Sequence, residues 1–362
     1  MTFTTRKAGL SGLAVLGASA LALAGCTPSG PAAPDFLPCV VSGTGGFDDN
    51  SFNQLAYEGI NEAAAALNVE PVTIESETQD DFAPNIEQAV EAGCDLIITV
   101  GFDLAVATIE AATANPDLPF ALIDDAGDVD FDGTGPDAPN VKPILFDTAQ
   151  AAFLGGYAMA SYTTSGTVGT YGGRPFPTVS IFMDGAAQGV EYYNEQKDAD
   201  VQLLGWDIAS QTGTFVDVFT PGTESFNAAS NLLDQGADVL LPVGGGIYLS
   251  AVEAIKDRGT DAAILGVDAD FTLTDPANAD FVLTSILKQI KVAVIAVVNE
   301  AADGELDYEP YVGTLENGGV GIAPFHSFEG AVDPELQAEL DAIAEGIIAG
   351  EIPVSSYLNP AG

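Results

Sequence analysis

The chain has 362 residues, too many for one compact core of the usual size, and it reads as two domains. It carries 53 Asp and Glu against 9 Lys and Arg, a formal charge of −44, which repels nucleic acid and anionic lipid and disfavours a polyanionic ligand. With 47% apolar residues, this acidity belongs to the skin of a packed globule and not to a disordered chain.

At the start of the chain, Arg6-Lys7 precede an apolar run from Ala8 to Ala24 that closes in Leu23-Ala24-Gly25-Cys26. A charged start, a short apolar stretch and small residues before a cut describe a secretory leader over residues 1–25. A lone Cys directly after Ala-Gly is where bacterial lipoproteins are acylated. Cys26 is therefore expected to become a lipid-bearing N-terminus that holds the protein on the extracytoplasmic face of the cell membrane. The alternatives, an ordinary leader or a single membrane anchor, fit less well because the run is short for a bilayer. Residues 26–35, rich in Pro, Ser, Gly and Ala, form the expected tether.

From there, apolar runs ending in Gly or Asp alternate with helical patterns, the signature of βαβ units and parallel sheets. Strands are predicted at Cys39 to Ser42, Pro71 to Glu75, Asp95 to Val100 and Phe120 to Ile123. Helices fall between them at Ser51 to Leu67, Asn85 to Ala92 and Leu104 to Ala114. Lys142 to Phe146 begins a crossing, and Ala149 to Tyr162 is a small-residue helix. A second series then has strands at Thr167 to Tyr171, Val201 to Trp206, Val239 to Val243 and Ala263 to Val267. Its helices lie around Gly185 to Gln196, Ser225 to Gln235 and Ile247 to Arg258. Val282 to Ile286 is a further strand, Ile290 to Ala302 a helix returning to the first lobe, and Pro334 to Ala349 an amphipathic helix. The expected architecture is α/β, with two doubly wound parallel-sheet lobes joined by a multi-strand hinge. Residues 36–145 plus about 270–308 form the N-terminal lobe, and 146–269 plus about 309–362 the C-terminal one. Crossings near Phe146, Asp268 and the segment after Glu305 would supply the hinge.

Cys39 and Cys94 each stand at the start of a predicted strand. If those strands are neighbours, a disulfide between them suits an extracytoplasmic protein; the alternative is two buried thiols. Ligands of such sheets bind beyond the C-terminal strand ends, here Ser42 to Gly46, Gly101-Phe102, Asp124-Asp125, Gly172-Gly173, Gly244 to Gly246 and Asp268 to Asp270, all rich in Gly or Asp.

Catalytic chemistry finds little footing. Gly43-Thr-Gly-Gly46 lacks dinucleotide spacing and no P-loop Lys follows. The only histidine, His326, supports neither a triad nor a multi-histidine metal site. The run Asp124-Asp125, Asp128, Asp130, Asp132 does not complete the EF-hand pattern and reads as a solvated loop. No cofactor and no metal are expected.

One string is more specific: Gly45-Gly-Phe-Asp-Asp-Asn-Ser-Phe-Asn-Gln54, followed by Ala56-Tyr-Glu-Gly59. In order behind it come Ile98-Thr-Val-Gly-Phe102, Phe120-Ala-Leu-Ile-Asp124, Phe153-Leu-Gly-Gly-Tyr157, Val168-Gly-Thr-Tyr-Gly-Gly173, Thr212-Gly-Thr-Phe-Val-Asp217, Gly236-Ala-Asp-Val239, Leu265-Gly-Val-Asp268 and Leu283-Thr-Ser-Ile-Leu-Lys288. Together these resemble the basic membrane protein family, the purine-nucleoside receptor lipoproteins of bacterial ABC importers. The resemblance implies a type I periplasmic-binding-protein fold with a purine held between two aromatic rings, matched here by Phe52 and Phe215. It also places Asn53 at a base edge, and Asp124, Asp268 and Lys288 near amino or ribose groups. One departure stands out: where the family often has Thr-Asp-x-Gly-Gly, this chain has Ser42-Gly43-Thr44-Gly45-Gly46. Loss of that carboxylate makes another nucleoside, or a different flat polar ligand, credible. The expected protein is a monomer that closes two lobes over a small molecule and hands it to an ABC permease, without binding nucleic acid. The rival expectations are a sensor subunit and a nucleoside hydrolase.

Overall fold

A computed structural model describes residues 36–359; the leader, Cys26 and the tether lie outside the described residues. The chain opens with β1 (Pro38–Thr44), α1 (Phe52–Leu67), β2 (Val72–Ser76), α2 (Phe82–Glu91), β3 (Leu96–Val100), α3 (Ala105–Ala114), β4 (Phe120–Ile123) and β5 (Val141–Phe146). It continues through α4 (Ala149–Tyr162), β6 (Thr167–Gly172), α5 (Pro177–Lys197), β7 (Gln202–Leu204), β8 (Trp206–Asp207), β9 (Thr212–Gly213) and α6 (Thr223–Asp234). Next come β10 (Val239–Val243), α7 (Tyr248–Arg258), β11 (Ala263–Asp268), α8 (Phe271–Thr274) and β12 (Val282–Lys288). The last elements are α9 (Ile290–Ala302), β13 (Tyr311–Gly313), β14 (Val320–Ile322) and α10 (Leu336–Ile348).

Two six-stranded sheets result, ordered β2-β1-β3-β4-β5-β13 and β7-β6-β10-β11-β12-β14. Every pairing in them is parallel except β12 with β14. Strands buried on both faces explain the near-continuous apolar runs of the sequence. In the first sheet Val40, Ile98 and Ile123 face a core shared with Ile60 of α1 and Val298 of α9. The alternate residues Val41, Ile97 and Leu122 face Ile86 of α2 and Ile109 of α3. Strands β1 and β3 are neighbours, and Cys39 and Cys94 are joined in a disulfide with Cα atoms 6.0 Å apart.

The chain crosses between sheets after β5, between β12 and α9, and between β13 and β14. Two expectations change. Val282–Lys288, placed by sequence with the first lobe, pairs with β11 in the second sheet, so the crossing falls after Lys288. Asp268 therefore ends a strand inside one sheet and is no hinge, whereas α9 does return to pack on α1. Helix α5 also begins at Pro177, well before the predicted Gly185. Proline at the first helical position has its φ pre-set and loses no hydrogen bond, so Pro177 starts the helix two turns earlier than expected. Helices α4 and α5 pack backbone to backbone: a β-carbon at Gly156 would lie 2.0 Å from the Ala186 carbonyl oxygen.

Candidate functional site

The C-terminal ends of both sheets point into one cavity. Its lining comes from Gly43 to Gly45 after β1, Phe52 and Asn53 of α1, Val100 to Asp103 after β3, and Asp124 after β4. The second lobe contributes Phe176, Thr178, Val179 and Phe182 around the start of α5, then Phe219, Val243 to Gly245 after β10, Asp268 of β11 and Lys288 of β12.

Lys288 is the hub. It ends β12, is 3% exposed, and its Nζ lies 2.6 Å from Asp124 Oδ2 and 3.7 Å from Asp268 Oδ1. The same Nζ stands 5.4 Å from the Phe52 ring centroid and 5.0 Å from that of Phe182, so one aromatic face from each lobe flanks the ammonium. Asp124 and Asp268 occupy equivalent places, each at the end of the fourth strand of its sheet. Both adopt left-handed backbone angles, φ 66° and 67°, which a carboxylate-bearing residue tolerates better than most but at some cost. Burial pushes both carboxyls above their usual range; Lys288 pulls each back, and Asp268 reaches about 6.

The Ser51 hydroxyl lies 3.0 Å from Asp268 Oδ2 and 2.9 Å from the Val267 carbonyl oxygen. Asp268 Oδ1 is buried without a hydrogen-bond partner. A buried acceptor left open beside a cavity is costly unless something donates to it.

Asp49, quoted in the sequence string but given no role there, organises the opposite wall. Its carboxylate accepts from the backbone N–H groups of Ser51 (2.9 Å), Asn53 (3.0 Å) and Gln54 (3.1 Å), holding the first turn of α1. It also accepts from Asn53 Nδ2 at 3.0 Å, while Asn53 Oδ1 accepts the Gly43 N–H at 2.9 Å. Asn53 thus clamps the end of β1 to α1, and its amide is already engaged on both sides. Burial raises the Asp49 carboxyl despite these donors.

The predicted residues separate at this point. Phe52, Asn53, Asp124, Asp268 and Lys288 meet at the cavity, but Phe215 is not among its lining. Phe215 forms an isolated bridge with Gly172, and its ring packs edge-on against Trp206, centroids 6.4 Å apart. The second lobe presents Phe176, Phe182 and Phe219 to the cavity instead. The signal for these was local: Phe176 stands between two prolines just after the β6 end, and Phe219 just before Pro221-Gly222. His326 lies away from the cavity with Nε2 2.7 Å from Asp270 Oδ2. In the acidic run, Asp128 and Asp130 gather with Asp137 on an exposed loop.

A cavity between the strand ends of two doubly wound sheets, walled by rings and floored by a lysine between two aspartates, defines a two-lobed solute receptor. The chain belongs to the Bmp family, described as ABC transporter substrate-binding protein PnrA-like, whose model matches residues 38–356. It is 26% identical to the ABC transporter nucleoside-binding protein BmpA of Lactococcus lactis over 94% of this chain and 96% of that one. An uncharacterized lipoprotein of Pyrococcus abyssi is 31% identical, over 83% of this chain and 72% of its own length. Among solved structures, a solute-binding protein of an ABC transporter system from Aeropyrum pernix superimposes with a TM-score of 0.78 at 24% identity, covering 90% of this chain and 94% of that one. The fold is the type I fold of periplasmic solute-binding proteins, and the family is one of ABC transporter substrate-binding proteins.

Proposed function

We propose that this chain is a lipid-anchored receptor on the extracytoplasmic face of the membrane that captures a nucleoside and presents it to an ABC permease. As an ABC transporter substrate-binding protein it serves a small-molecule solute and a membrane transporter. The observation that carries the nucleoside is the open acceptor of Asp268 beside Lys288, beneath aromatic walls. Ribose hydroxyls donate to such a carboxylate, and a flat base stacks on rings for about 1–3 kcal/mol per base. Four carboxylates, Asp49, Asp103, Asp124 and Asp268, line the cavity with Lys288, which favours a ligand without negative charge. The name of the lactococcal relative supports the same ligand class, and Leu23 to Cys26 with the lipoprotein relatives support the anchor.

Gly43 shapes which ring is taken. A β-carbon there would stand 2.8 Å from the Val100 carbonyl oxygen, so this strand end carries no side-chain acceptor for a base edge. With Asn53 already engaged, the base edge falls to the backbone of Thr44 and Gly45, which accommodates bases other than purines. The test is thermal melting of the purified protein with a panel of purine and pyrimidine nucleosides and free bases, alongside mass spectrometry of co-purifying solute. Stabilisation by nucleosides and not by free bases is expected. A panel that leaves the melting temperature unmoved ends the nucleoside assignment.

A further inference from the structure

At the rim of the cavity, two contacts join the lobes without touching the Asp124–Lys288–Asp268 floor. Phe102, just after β3, stacks on Phe176, just before α5, with centroids 5.0 Å apart and 29° between the ring planes. Beside this stack, Asp103 Oδ2 lies 3.6 Å from Arg174 Nη1. Phe102 and Asp103 follow a strand of the first sheet, while Arg174 and Phe176 follow a strand of the second.

Both sides are braced. Gln79 Nε2 donates to Asp103 Oδ2 at 3.2 Å, and Arg174 Nε donates to the Asp217 carbonyl at 3.2 Å. The Arg174 guanidinium also stands 5.9 Å from the Phe219 ring centroid. Phe102, Asp103, Phe176 and Phe219 line the inner cavity, whereas Gln79, Arg174 and Phe219 line a second hollow that shares Thr44, Gly45 and Phe219 with it. The stack and the ion pair are therefore the partition between the two. The side chains keep little exposure, 26% for Arg174 and 11% for Asp103, so solvent screens the pair only partly.

A separate set of contacts ties the turn before α1 to the second lobe. Ser51 reaches Val267 and Asp268, Asn50 Nδ2 donates to Tyr248 Oη at 3.2 Å, and Thr274 Oγ1 donates to the Asn50 carbonyl at 2.8 Å. Those contacts adjoin the binding floor. The contacts at Phe102 and Asp103 hold a different loop.

We propose that Phe102 on Phe176 and Asp103 with Arg174 form a clasp that locks the shut cleft and sets how long a ligand stays inside. A clasp that is shut with or without ligand slows entry as well as escape, so loosening it speeds exchange in both directions. This inference rests on the cleft being a ligand site, but closure itself can be read without any ligand.

The first measurement uses the full chain in detergent, ligand-free, with nitroxide labels on cysteines introduced at Val106 of α3 and Glu224 of α6, one on each lobe. Pulsed electron resonance on this background should give a narrow distance distribution, shifted and broadened toward longer distances in Phe102→Leu with Arg174→Gln. An unchanged distribution in that double variant overturns the clasp. The second measurement is stopped-flow release of adenosine and uridine, followed through the single tryptophan, Trp206. Asp103→Asn, Arg174→Gln and Phe102→Leu should each speed release roughly three- to tenfold without slowing association. Asp103→Asn combined with Arg174→Gln should release no faster than either alone, a non-additivity that general damage would not produce. Release that is unchanged or slowed, or additive effects, would refute the proposal. If neither nucleoside binds, the nucleoside assignment fails while the distance measurement still decides the clasp.

Discussion

Asp268 makes a prediction in which one residue drives two opposite pH trends. Burial is the largest influence on its carboxyl, Lys288 works against it, Asp124 adds to it, and the result is a shift from 3.8 to about 6. A ligand hydroxyl donates far more strongly to the ionised form than to a protonated carboxyl, so affinity should be constant above pH 7 and fall as the pH drops through 6. At pH 5, one unit below, about one ligand-free molecule in ten keeps the carboxylate, and affinity should be about tenfold weaker. Stability of the ligand-free protein moves the other way. A raised folded-state value means the protonated form is favoured by folding, so this contribution is present below 3.8 and lost as pH rises through about 6. Over that interval it amounts to about 3 kcal/mol. Burial raises other carboxyls as well, Asp125 to about 6, so the contribution is read as the difference between the parent and Asp268→Asn. Titration calorimetry with adenosine between pH 5 and 7.5, in two buffers of different ionisation enthalpy, measures both affinity and proton release. Urea unfolding of the two ligand-free proteins supplies the stability difference. An affinity that stays flat across this range, with no proton released at pH 5.5, would refute the role given to Asp268.

Lys288→Met should remove the cation between Asp124 and Asp268 and destabilise the protein by about 3–5 kcal/mol at pH 7.5, as breaking a buried ion pair does. Much of that loss should return at pH 5, where one carboxyl is protonated; urea unfolding at the two pH values checks this. Phe52→Ala should weaken nucleoside binding by about 1–3 kcal/mol while leaving the melting temperature close to that of the parent. Phe215→Ala should do the reverse, because its ring supports Trp206 and Gly172 outside the cavity. It should lower stability by about 2 kcal/mol and alter Trp206 fluorescence with affinity unchanged, as calorimetry and denaturant melts will show.

The alternation of apolar runs and helical patterns revealed the parallel strands because buried parallel strands carry their signal in composition alone. It could not reveal β13 and β14, three residues each, whose pairing depends on where the chain crosses. It also misassigned Val282–Lys288, since a strand carries no local mark of the sheet it joins. Within the site, Phe52, Asn53 and Lys288 were carried over from the family resemblance, whereas Asp124 and Asp268 were legible from the predicted strand ends, where topology fixes direction. Phe215 was not, because a residue in an irregular segment turns its ring according to its neighbours. Pairing with Gly172 sends that ring toward Trp206, and Phe219, four residues on, reaches the cavity. Asp49 was overlooked for a different reason: its work is to cap α1, and only the three-dimensional structure shows that this cap also fixes Asn53.

The scarcity of basic residues explains why the site has the form it does. Among the described residues there are seven Lys and Arg, and each joins parts of the chain that lie far apart in sequence. Lys142 ties β5 to Asp307 ahead of β13, Lys197 of α5 pairs with Glu339 of α10, and Arg258 of α7 pairs with Asp234 of α6. Lys291 of α9 meets Glu58 and Glu62 of α1, Lys256 reaches Asn278, and Arg174 reaches across the lobes to Asp103. In such a field a loose cation would draw carboxylates from every side, so each is held where its charge fixes a tertiary contact. Lys288 is the one placed on the binding floor, joining the β4 end of one sheet to the β11 end of the other through Asp124 and Asp268. Closure therefore brings two like charges to one lysine, and Asp268 keeps an acceptor that the lysine at 3.7 Å does not satisfy. A hydroxyl-bearing neutral ligand would complete that arrangement, and an anion would compete with the carboxylates for the same ammonium.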